Sequence, residues 1–199
     1  MREEALLKAF QETGALRRGH FELSSGLHSG VYFQSALVLQ FPDRAEVLGR
    51  ALAKDLAAHH PDVASGPALG ALIIAWEVAR FLGVRGIFTE RTEGEMCLRR
   101  GFSLRPGERV VVVEDVVTTG RSTRETMEVL RAAGGEIVGV GAIVDRSGGR
   151  VDFGVPFHAL LSLPVETSRP ESCPECKAGV PLLKPGSRPG EAILRAKRG

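Results

Sequence analysis

Cysteine is scarce in this chain: its 199 residues include only three, Cys97, Cys173 and Cys176. An odd number of cysteines without a secretory context argues against a disulfide framework. No apolar run approaches the ~20 residues that a membrane span needs, so we expect no membrane partner. The first residues, MREEALLKAFQETGAL, are charged and amphipathic, unlike a signal peptide. We therefore expect a cytoplasmic protein.

An excess of charge is also absent, since the net charge is only +2. So small a value argues against nucleic acid as a partner, although local basic clusters can still bind an acidic substrate. The chain has no GxxxxGKS or GxxxxGKT loop and no GxGxxG fingerprint, so neither a P-loop nor a dinucleotide site is supported. A hydrophobic content of 43% is sufficient for one sizeable core.

What the chain does contain is an alternation of strand and helix patterns. Helical patterns cover residues 2–13, 43–59, the apolar stretch after GPALG, and RETMEVLRAA; strand patterns include FEL, VYF, DVASG, GIFTER, VVVV, EIVGVGAIVD and HALLSLPV. This rhythm predicts an α/β fold with a doubly wound, mostly parallel sheet flanked by helices. We expect a single domain over residues 1–199, with a small N-terminal hood or flap formed mainly by residues 1–40 and an irregular C-terminal tail over 167–199.

Residues 110–123, VVVVEDVVTTGRST, combine a strand with an acidic pair and a hydroxyl-rich loop. Four β-branched valines predict a central parallel strand that is covered on both faces. In open α/β sheets the ligand binds outside the carboxyl ends of the strands, where Glu114 and Asp115 fall. Thr118 and the residues after it supply hydroxyls and backbone N–H groups ahead of a helix, which can hold an anion. The segment therefore predicts a site for a sugar and a phosphate.

A second strand-to-helix junction gives another candidate anion site, formed by Ser65, Gly66, Pro67, Ala68, Leu69 and Gly70. A tight turn in which Gly70 allows close helix packing explains the same residues equally well. Further along, the polar connection EGEMCLRRGFSLRPGE is typical of a lid.

The CPEC segment, from Cys173 to Cys176, is the one suggestion of a bound metal. Two thiolates at this spacing can share an ion, but a structural zinc site needs four ligands and the chain offers no second such pair. The five histidines show no metal-ligand spacing, so a metal here would need a partner subunit or His158. The pattern favours a reduced turn or a local disulfide, and we expect no protein metal cage.

Several motifs together resemble the orotate phosphoribosyltransferases, a branch of the type I phosphoribosyltransferases. Residues 110–123 resemble the family's signature for phosphoribosyl diphosphate (PRPP), and GHFELSSGLHSGVYF, DVASGPALGA, FTERTEG, RRGF and VDRSGG extend the likeness over nearly all of the chain. The segment CPECKAGVPLLKPGSR looks like the tail of one branch of the family. The resemblance implies transfer of ribose 5-phosphate from PRPP to N1 of orotate, giving orotidine 5'-monophosphate and pyrophosphate in pyrimidine (UMP) biosynthesis.

Applied to this sequence, the resemblance assigns most of the site. PRPP would contact Arg91, Glu114, Asp115, Val116, Val117, Thr118, Thr119, Gly120, Arg121 and Ser122, with Glu114, Asp115 and Arg91 as the catalytic residues. The two carboxylates can accept hydrogen bonds from the ribose hydroxyls, while loop amides hold the 5'-phosphate. The Ser65 to Gly70 loop would hold the leaving pyrophosphate together with Mg²⁺, which prefers phosphate oxygens and water to an all-protein cage.

The carboxylate of orotate needs a cation, and Arg146 matches the family's orotate-contacting arginine. The alternative is that Arg146 pairs with Asp145 or another surface acid. Thr118 lies close enough in the loop to reach the base. Tyr32 and Phe33 belong to the flap that would close over the ring, unless they are simple core aromatics.

The chain departs from its relatives in two places. Ser24 stands where many relatives have a lysine, and the lid lacks the lysines and the histidine that many carry. Arg91, Arg99 and Arg100 are the remaining local cations, and we expect them to neutralise the departing pyrophosphate. In the family the lid reaches into the neighbouring subunit's site, which implies a homodimer with shared active sites. The competing hypotheses are a phosphoribosyltransferase for another base and a PRPP-sensing regulator.

Overall fold

The computed structural model describes residues 3–23, 26–164 and 166–184. Its elements in chain order are α1 (Glu3–Glu12), β1 (Leu16–Glu22), β2 (His28–Phe33), α2 (Ala36–Leu39), α3 (Pro42–Leu56), β3 (Val63–Pro67), α4 (Leu72–Leu82), β4 (Arg85–Thr92), β5 (Glu95–Leu98), β6 (Arg109–Val117), α5 (Arg121–Ala132), β7 (Glu136–Asp145), β8 (Phe157–Ser162), β9 (Thr167–Ser168) and α6 (Pro174–Lys177). The chain divides into two compact units. Of the described residues, 3–15 and 34–164 form the first unit, and 16–23, 26–33 and 166–184 form the second.

A six-stranded sheet lies at the centre of the first unit, in the order β5-β4-β3-β6-β7-β8. Five of its strands run parallel, while β5 pairs antiparallel with β4 at one edge. The valine strand β6 lies between β3 and β7. Four of its valines, Val110, Val111, Val112 and Val113, are fully buried. Branched apolar side chains along a whole strand suit this position, since a parallel strand inside an α/β sheet is covered on both faces.

Helices cover both faces of this sheet. On one face α5 packs through Met127 and Leu130, in one apolar cluster with Val110 and Val112. Side chains alternate along a strand, so Val111 points to the opposite face. There α3 and α4 pack against the strands and against each other. The doubly wound, mostly parallel α/β fold that the sequence predicts is confirmed.

The polar connection predicted as a lid begins as a hairpin. β5 pairs with β4, so that Arg91 lies opposite Met96. The turn between the strands has positive φ angles at Glu93 and Gly94. A positive φ costs little free energy at Gly94, because glycine has no side chain. The sequence does not predict this edge strand, because its four residues, one exposed and three half-buried, carry no clear alternation of apolar and polar side chains.

The second unit is built on a three-stranded antiparallel sheet in the order β1-β2-β9. Leu183, from the later part of the chain, forms backbone hydrogen bonds with β1. Leu183 N donates a hydrogen bond to His20 O at 2.8 Å, and Leu183 O accepts one from Glu22 N at 2.8 Å. Backbone hydrogen bonds therefore join the β1–β2 hairpin to residues near the C-terminus.

Two boundaries differ from those expected. Of the hood predicted over residues 1–40, strands β1 and β2 belong to the second unit, whereas α1 and residues 34–40 belong to the first. The tail predicted to be irregular over 167–199 contains β9 and α6, and its residues 185–199 lie outside the described part of the chain. Among the residues described, none of the helices is long and apolar enough to cross a membrane.

Candidate active site

The strand β6 continues through the acidic pair to Val117, which brings both carboxylates to its carboxyl end. Glu114 points inward and is only 4% exposed. Its Oε2 accepts hydrogen bonds from Ser122 Oγ at 2.8 Å and from Thr123 Oγ1 at 3.4 Å, both in the first turn of α5. Glu114 therefore joins the end of the central strand to the start of the following helix.

The environment of Glu114 changes its acidity. Burial is the largest cause, followed by the negative charge of Asp115 and a hydrogen bond with it, and together they raise the pKa of Glu114 from 4.5 to about 8. The hydrogen bond from Ser122 acts in the opposite direction but does not outweigh the burial. At neutral pH Glu114 is therefore mainly protonated. A carboxyl group with such a pKa is typical of a functional site.

Asp115 is held by different partners. Its Oδ1 accepts a hydrogen bond from Val116 N at 2.9 Å, and its Oδ2 accepts one from Ser35 Oγ. Gly70 lies against the same carboxylate, because a Cβ added there would stand 2.7 Å from Asp115 Oδ2. The close approach of the loop to Asp115, rather than helix packing, explains why position 70 has no side chain.

The loop after β6 borders a cavity of about 210 Å³. The cavity is lined by Arg91, Val116, Val117, Thr118, Thr119, Gly120, Arg121, Ser122 and Thr123. Gly120 precedes α5 with a φ of 73°, and an added Cβ would stand 2.9 Å from both Phe153 Cε1 and Val151 Cγ1. The structure thus brings the predicted phosphate loop and the predicted lid residue Arg91 to one cavity at the N-terminus of a helix, which favours anions.

Two cations at this cavity share one acid. Arg91 Nη2 donates a hydrogen bond to the Glu125 carboxylate, and Arg121 Nε donates another at 2.8 Å. Arg91 Nη1 also donates a hydrogen bond to Gly94 O at 2.8 Å. The hydrogen bonds from Arg121 and from Arg91 hold the pKa of Glu125 below its ordinary value of 4.5. Glu125 therefore stays ionised at neutral pH, and an anionic ligand has to compete with it for both guanidinium groups.

The second predicted anion loop starts inside β3. Ser65 Oγ is buried and has no hydrogen-bond partner among the residues described. Ala68 N donates to Thr89 O at 2.7 Å, the Ala68–Leu69 peptide bond is cis, and Leu69 is 82% exposed. Because Gly70 approaches Asp115, this loop and the acidic pair occupy the same edge of the sheet.

Arg146 directly follows β7, the neighbour of β6. Its backbone N donates to Val117 O at 2.8 Å, so Arg146 lies beside the residues that lead into the Thr118 loop. Its side chain is half-buried. The carboxylate of Asp145, the partner considered for this arginine, accepts a hydrogen bond from Ser147 N at 2.7 Å. The structure thus places Arg146, the predicted orotate-binding residue, at the same edge of the sheet as the loop cavity.

The other predicted lid cations have partners of their own. Arg100 forms two hydrogen bonds to the Glu90 carboxylate, at 2.8 and 2.9 Å, and Arg99 donates to Thr92 Oγ1 at 2.8 Å. Both arginines are exposed. Unlike Arg91, neither lines the 210 Å³ cavity.

The predicted flap residues belong to the second unit. The ring of Tyr32 lies 5.7 Å from that of Phe21, and Phe33 is buried, as expected of packing aromatics. Ser24, the position where relatives have a lysine, lies outside the residues described.

Two residues of the site escaped the sequence analysis. Ser35 reaches Asp115 from 80 positions earlier in the chain, and no local pattern indicates that contact. Glu125 follows Arg121 at the i,i+4 spacing of a helical ion pair, which is a signal that the sequence does carry.

The fold and the site together define a phosphoribosyltransferase. A family model described as a phosphoribosyl transferase domain matches residues 38–153. That range contains the acidic pair, the loop after it and Arg91, so the class is supported by the same residues that form the cavity.

Individual relatives narrow this class. An orotate phosphoribosyltransferase from Pelotomaculum thermopropionicum is 56% identical over 188 residues, covering 94% of this chain and 99% of that one. The crystal structure of orotate phosphoribosyltransferase from Aeropyrum pernix is similar with a TM-score of 0.64 and 30% identity, over 79% of this chain and 93% of that one. The Mycobacterium tuberculosis enzyme in complex with PRPP has a TM-score of 0.63 and 26% identity, over 81% and 96%. The chain belongs to the orotate phosphoribosyltransferase family, as its motifs predict.

Proposed function

We propose that this chain transfers ribose 5-phosphate from PRPP to N1 of orotate, releasing pyrophosphate and forming orotidine 5'-monophosphate in de novo pyrimidine (UMP) biosynthesis. One observation carries the proposal: an acidic pair, of which Glu114 is buried and Asp115 half-buried, lies with a cationic loop cavity at one edge of the sheet, beside Arg146. The relatives compared above, at 56% and 30% identity, are named orotate phosphoribosyltransferases.

Glu114 and Asp115 bind the ribose of PRPP. Asp115 accepts hydrogen bonds from the ribose hydroxyls, while Glu114, with a pKa of about 8, can donate one as well as accept one. As the bond from the ribose to pyrophosphate breaks, positive charge develops on the sugar ring. The negative charge of Asp115, at the end of β6, stabilises that transition state.

The phosphates occupy the two loops. Backbone amides from Thr118 to Ser122, at the N-terminus of α5, hold the 5'-phosphate. The Ser65 to Gly70 loop holds the leaving pyrophosphate, and because Gly70 lies against Asp115, a diphosphate there faces a carboxylate. Mg²⁺, bound to the diphosphate oxygens and to water, would offset this repulsion. The cofactor thus comes with the substrate.

Arg146 binds orotate. Arg146 pairs with the carboxylate of the base, and a guanidinium group suits this because it can donate two parallel hydrogen bonds. Thr118 reaches the base from the phosphate loop.

Arg91, Arg99 and Arg100 supply positive charge for the departing pyrophosphate. A guanidinium group stays protonated at neutral pH, so these residues stabilise charge and do not act as general acids. We further propose that the protein is a homodimer in which the lid of one protomer completes the site of its partner. Its substrates are small charged molecules, and we propose a cytoplasmic location.

Mixed dimers test the shared site. A protomer with Arg99→Ala and Arg100→Ala, the two lid arginines that do not line their own protomer's cavity, is combined in equal amount with a differently tagged protomer that carries Asp115→Asn, and PRPP-dependent turnover is measured. Random pairing makes half of the dimers mixed, each with one intact site, so about a quarter of the wild-type activity should return. If the mixture stays as inactive as each parent, the lid serves its own protomer.

Competition among bases tests the reaction itself. The protein is incubated with PRPP, Mg²⁺ and equal concentrations of orotate, uracil, adenine and hypoxanthine, and the nucleotides formed are identified by mass. Orotidine 5'-monophosphate should dominate in the wild type, and Arg146→Ala should lose that preference while Arg169→Ala, a substitution in the second unit, should retain it. Preference for another base would favour the alternative transferase, and binding of PRPP without any nucleotide product would favour the regulator.

A further inference from the structure

Four side chains of the second unit converge on one point. His20 comes from β1 and His28 from β2, whereas Cys173 directly precedes α6 and Cys176 lies within it. One ligand atom from each of them lies within 4.8 Å of all the others. His20, His28 and Cys173 are buried, whereas Cys176 is exposed.

The spacing matches a tetrahedral shell. Bonds of about 2.3 Å to sulfur and about 2.0–2.1 Å to nitrogen put ligand atoms roughly 3.3–3.8 Å apart around a tetrahedral Zn²⁺. His20 Nε2 lies 3.4 Å from Cys173 Sγ and 3.6 Å from Cys176 Sγ, and His28 Nδ1 lies 3.3 Å from Cys176 Sγ. The two nitrogens are 2.9 Å apart, slightly closer than the ion requires.

Hydrogen bonding within the cluster does not account for this convergence. His20 Nδ1 lies 2.8 Å from Val180 O, and because a carbonyl oxygen only accepts, Nδ1 carries the hydrogen. In the tautomer with its one hydrogen on Nδ1, the Nε2 atom has a single lone pair, and His28 Nδ1 and both sulfurs lie within 3.6 Å of that atom. A histidine whose other nitrogen is held by a backbone carbonyl is the usual arrangement of a metal ligand.

We propose that His20, His28, Cys173 and Cys176 bind a structural Zn²⁺ ion. Two thiolates and two imidazoles form a complete four-ligand set, and such closed sites serve structure, whereas catalytic zinc keeps an open position. Both cysteines of the set are free thiols in the structure. The sequence favours no protein metal cage and suggests His158 as the further ligand, but in the structure His158 Nε2 lies 2.8 Å from His59 Nε2.

The ion would cross-link distant parts of the second unit. Cys176 and His28 are 148 residues apart in the sequence, so one ion would fix the β1–β2 hairpin to the C-terminal segment. Among the described residues of this unit, the buried apolar side chains besides Cys173 are Leu16, Phe21 and Phe33. A unit with so few needs an additional cross-link, and a metal that binds only the folded arrangement supplies it.

Metal content is the primary test. The full-length protein is purified from zinc-supplemented cells and dialysed, and its zinc is measured by mass spectrometry. We expect about one ion per chain in the wild type and in Cys97→Ser, the matched control outside the cluster, and at most about a tenth of that in Cys176→Ser and in His28→Ala. Wild-type protein without zinc, or variants that retain it, would overturn the proposal.

Thiol reactivity in the wild type avoids the risk that a variant fails to fold. Cys97 should react quickly with a thiol reagent, whereas Cys173 and Cys176 should react only as zinc is released to a colorimetric chelator. Cobalt(II) in place of zinc should give the visible bands of a tetrahedral thiolate site. A Cys173–Cys176 disulfide, or equal reactivity of all three cysteines without released zinc, would contradict the site.

Discussion

Replacing Glu114 by glutamine should remove most of one pH-dependent contribution to the stability of the protein. The pKa of Glu114 is about 8 in the folded chain, against an ordinary value of 4.5. Because the folded value is the higher one, the unfolded chain releases its proton first as the pH rises. The contribution of this carboxyl group to stability is fully present below pH 4.5 and is lost as the pH rises to about 8.

The difference between the folded and the unfolded pKa of Glu114 gives the size of its effect on the free energy of unfolding. A group with these two values lowers the free energy of unfolding by about 3 kcal/mol between pH 5 and pH 8. Glutamine has no proton to lose, and its amide oxygen can still accept the hydrogen bond from Ser122. The stability of Glu114→Gln relative to the wild type should therefore increase by about 3 kcal/mol over that range.

Urea unfolding of both proteins at pH 5, 6, 7 and 8 measures this difference, since the linear extrapolation gives a free energy at each pH. Glu128→Gln, a substitution of an exposed glutamate in α5, serves as the control and should show no such trend. A difference between wild type and Glu114→Gln that stays constant from pH 5 to pH 8 would refute the raised pKa.

Two further predictions concern the loop cavity. Gly120→Ala should lower the free energy of unfolding by about 1–3 kcal/mol more than Gly107→Ala, because both positions have φ near +75° but only position 120 meets side-chain atoms at 2.9 Å; equal losses would show that the contacts do not matter. Glu125→Gln should lower the KM for PRPP about two- to fivefold, because it removes the acid that competes for Arg91 and Arg121; a higher KM would mean that Glu125 positions these arginines.

The central part of the site was predictable because its chemistry is contiguous. Residues 110–123 contain the strand, both carboxylates, the loop and the start of the helix, so local patterns were enough to locate them. Order along the chain also placed Arg146 after a strand, and parallel pairing of β7 with β6 brings the two strand ends together.

The remaining features depend on contacts between distant segments. The spacing of the five histidines carries no metal signal, because His20 and His28 meet the cysteines only after the hairpin and the C-terminal segment have come together. The contact from Ser35 to Asp115 likewise has no local sequence pattern. Such contacts are set by tertiary packing, which periodicity along one segment does not encode.

Consumption of orotate decides whether this site performs the proposed transfer. The protein is mixed with PRPP, Mg²⁺ and orotate, and the loss of orotate absorbance is followed together with the mass of the product. Wild-type protein should convert orotate to orotidine 5'-monophosphate, and Asp115→Asn, which keeps the shape of the side chain but not its charge, should be slower by at least about a hundredfold. No loss of orotate with the wild type under any metal condition, or an Asp115→Asn variant as fast as the wild type, would contradict the assignment.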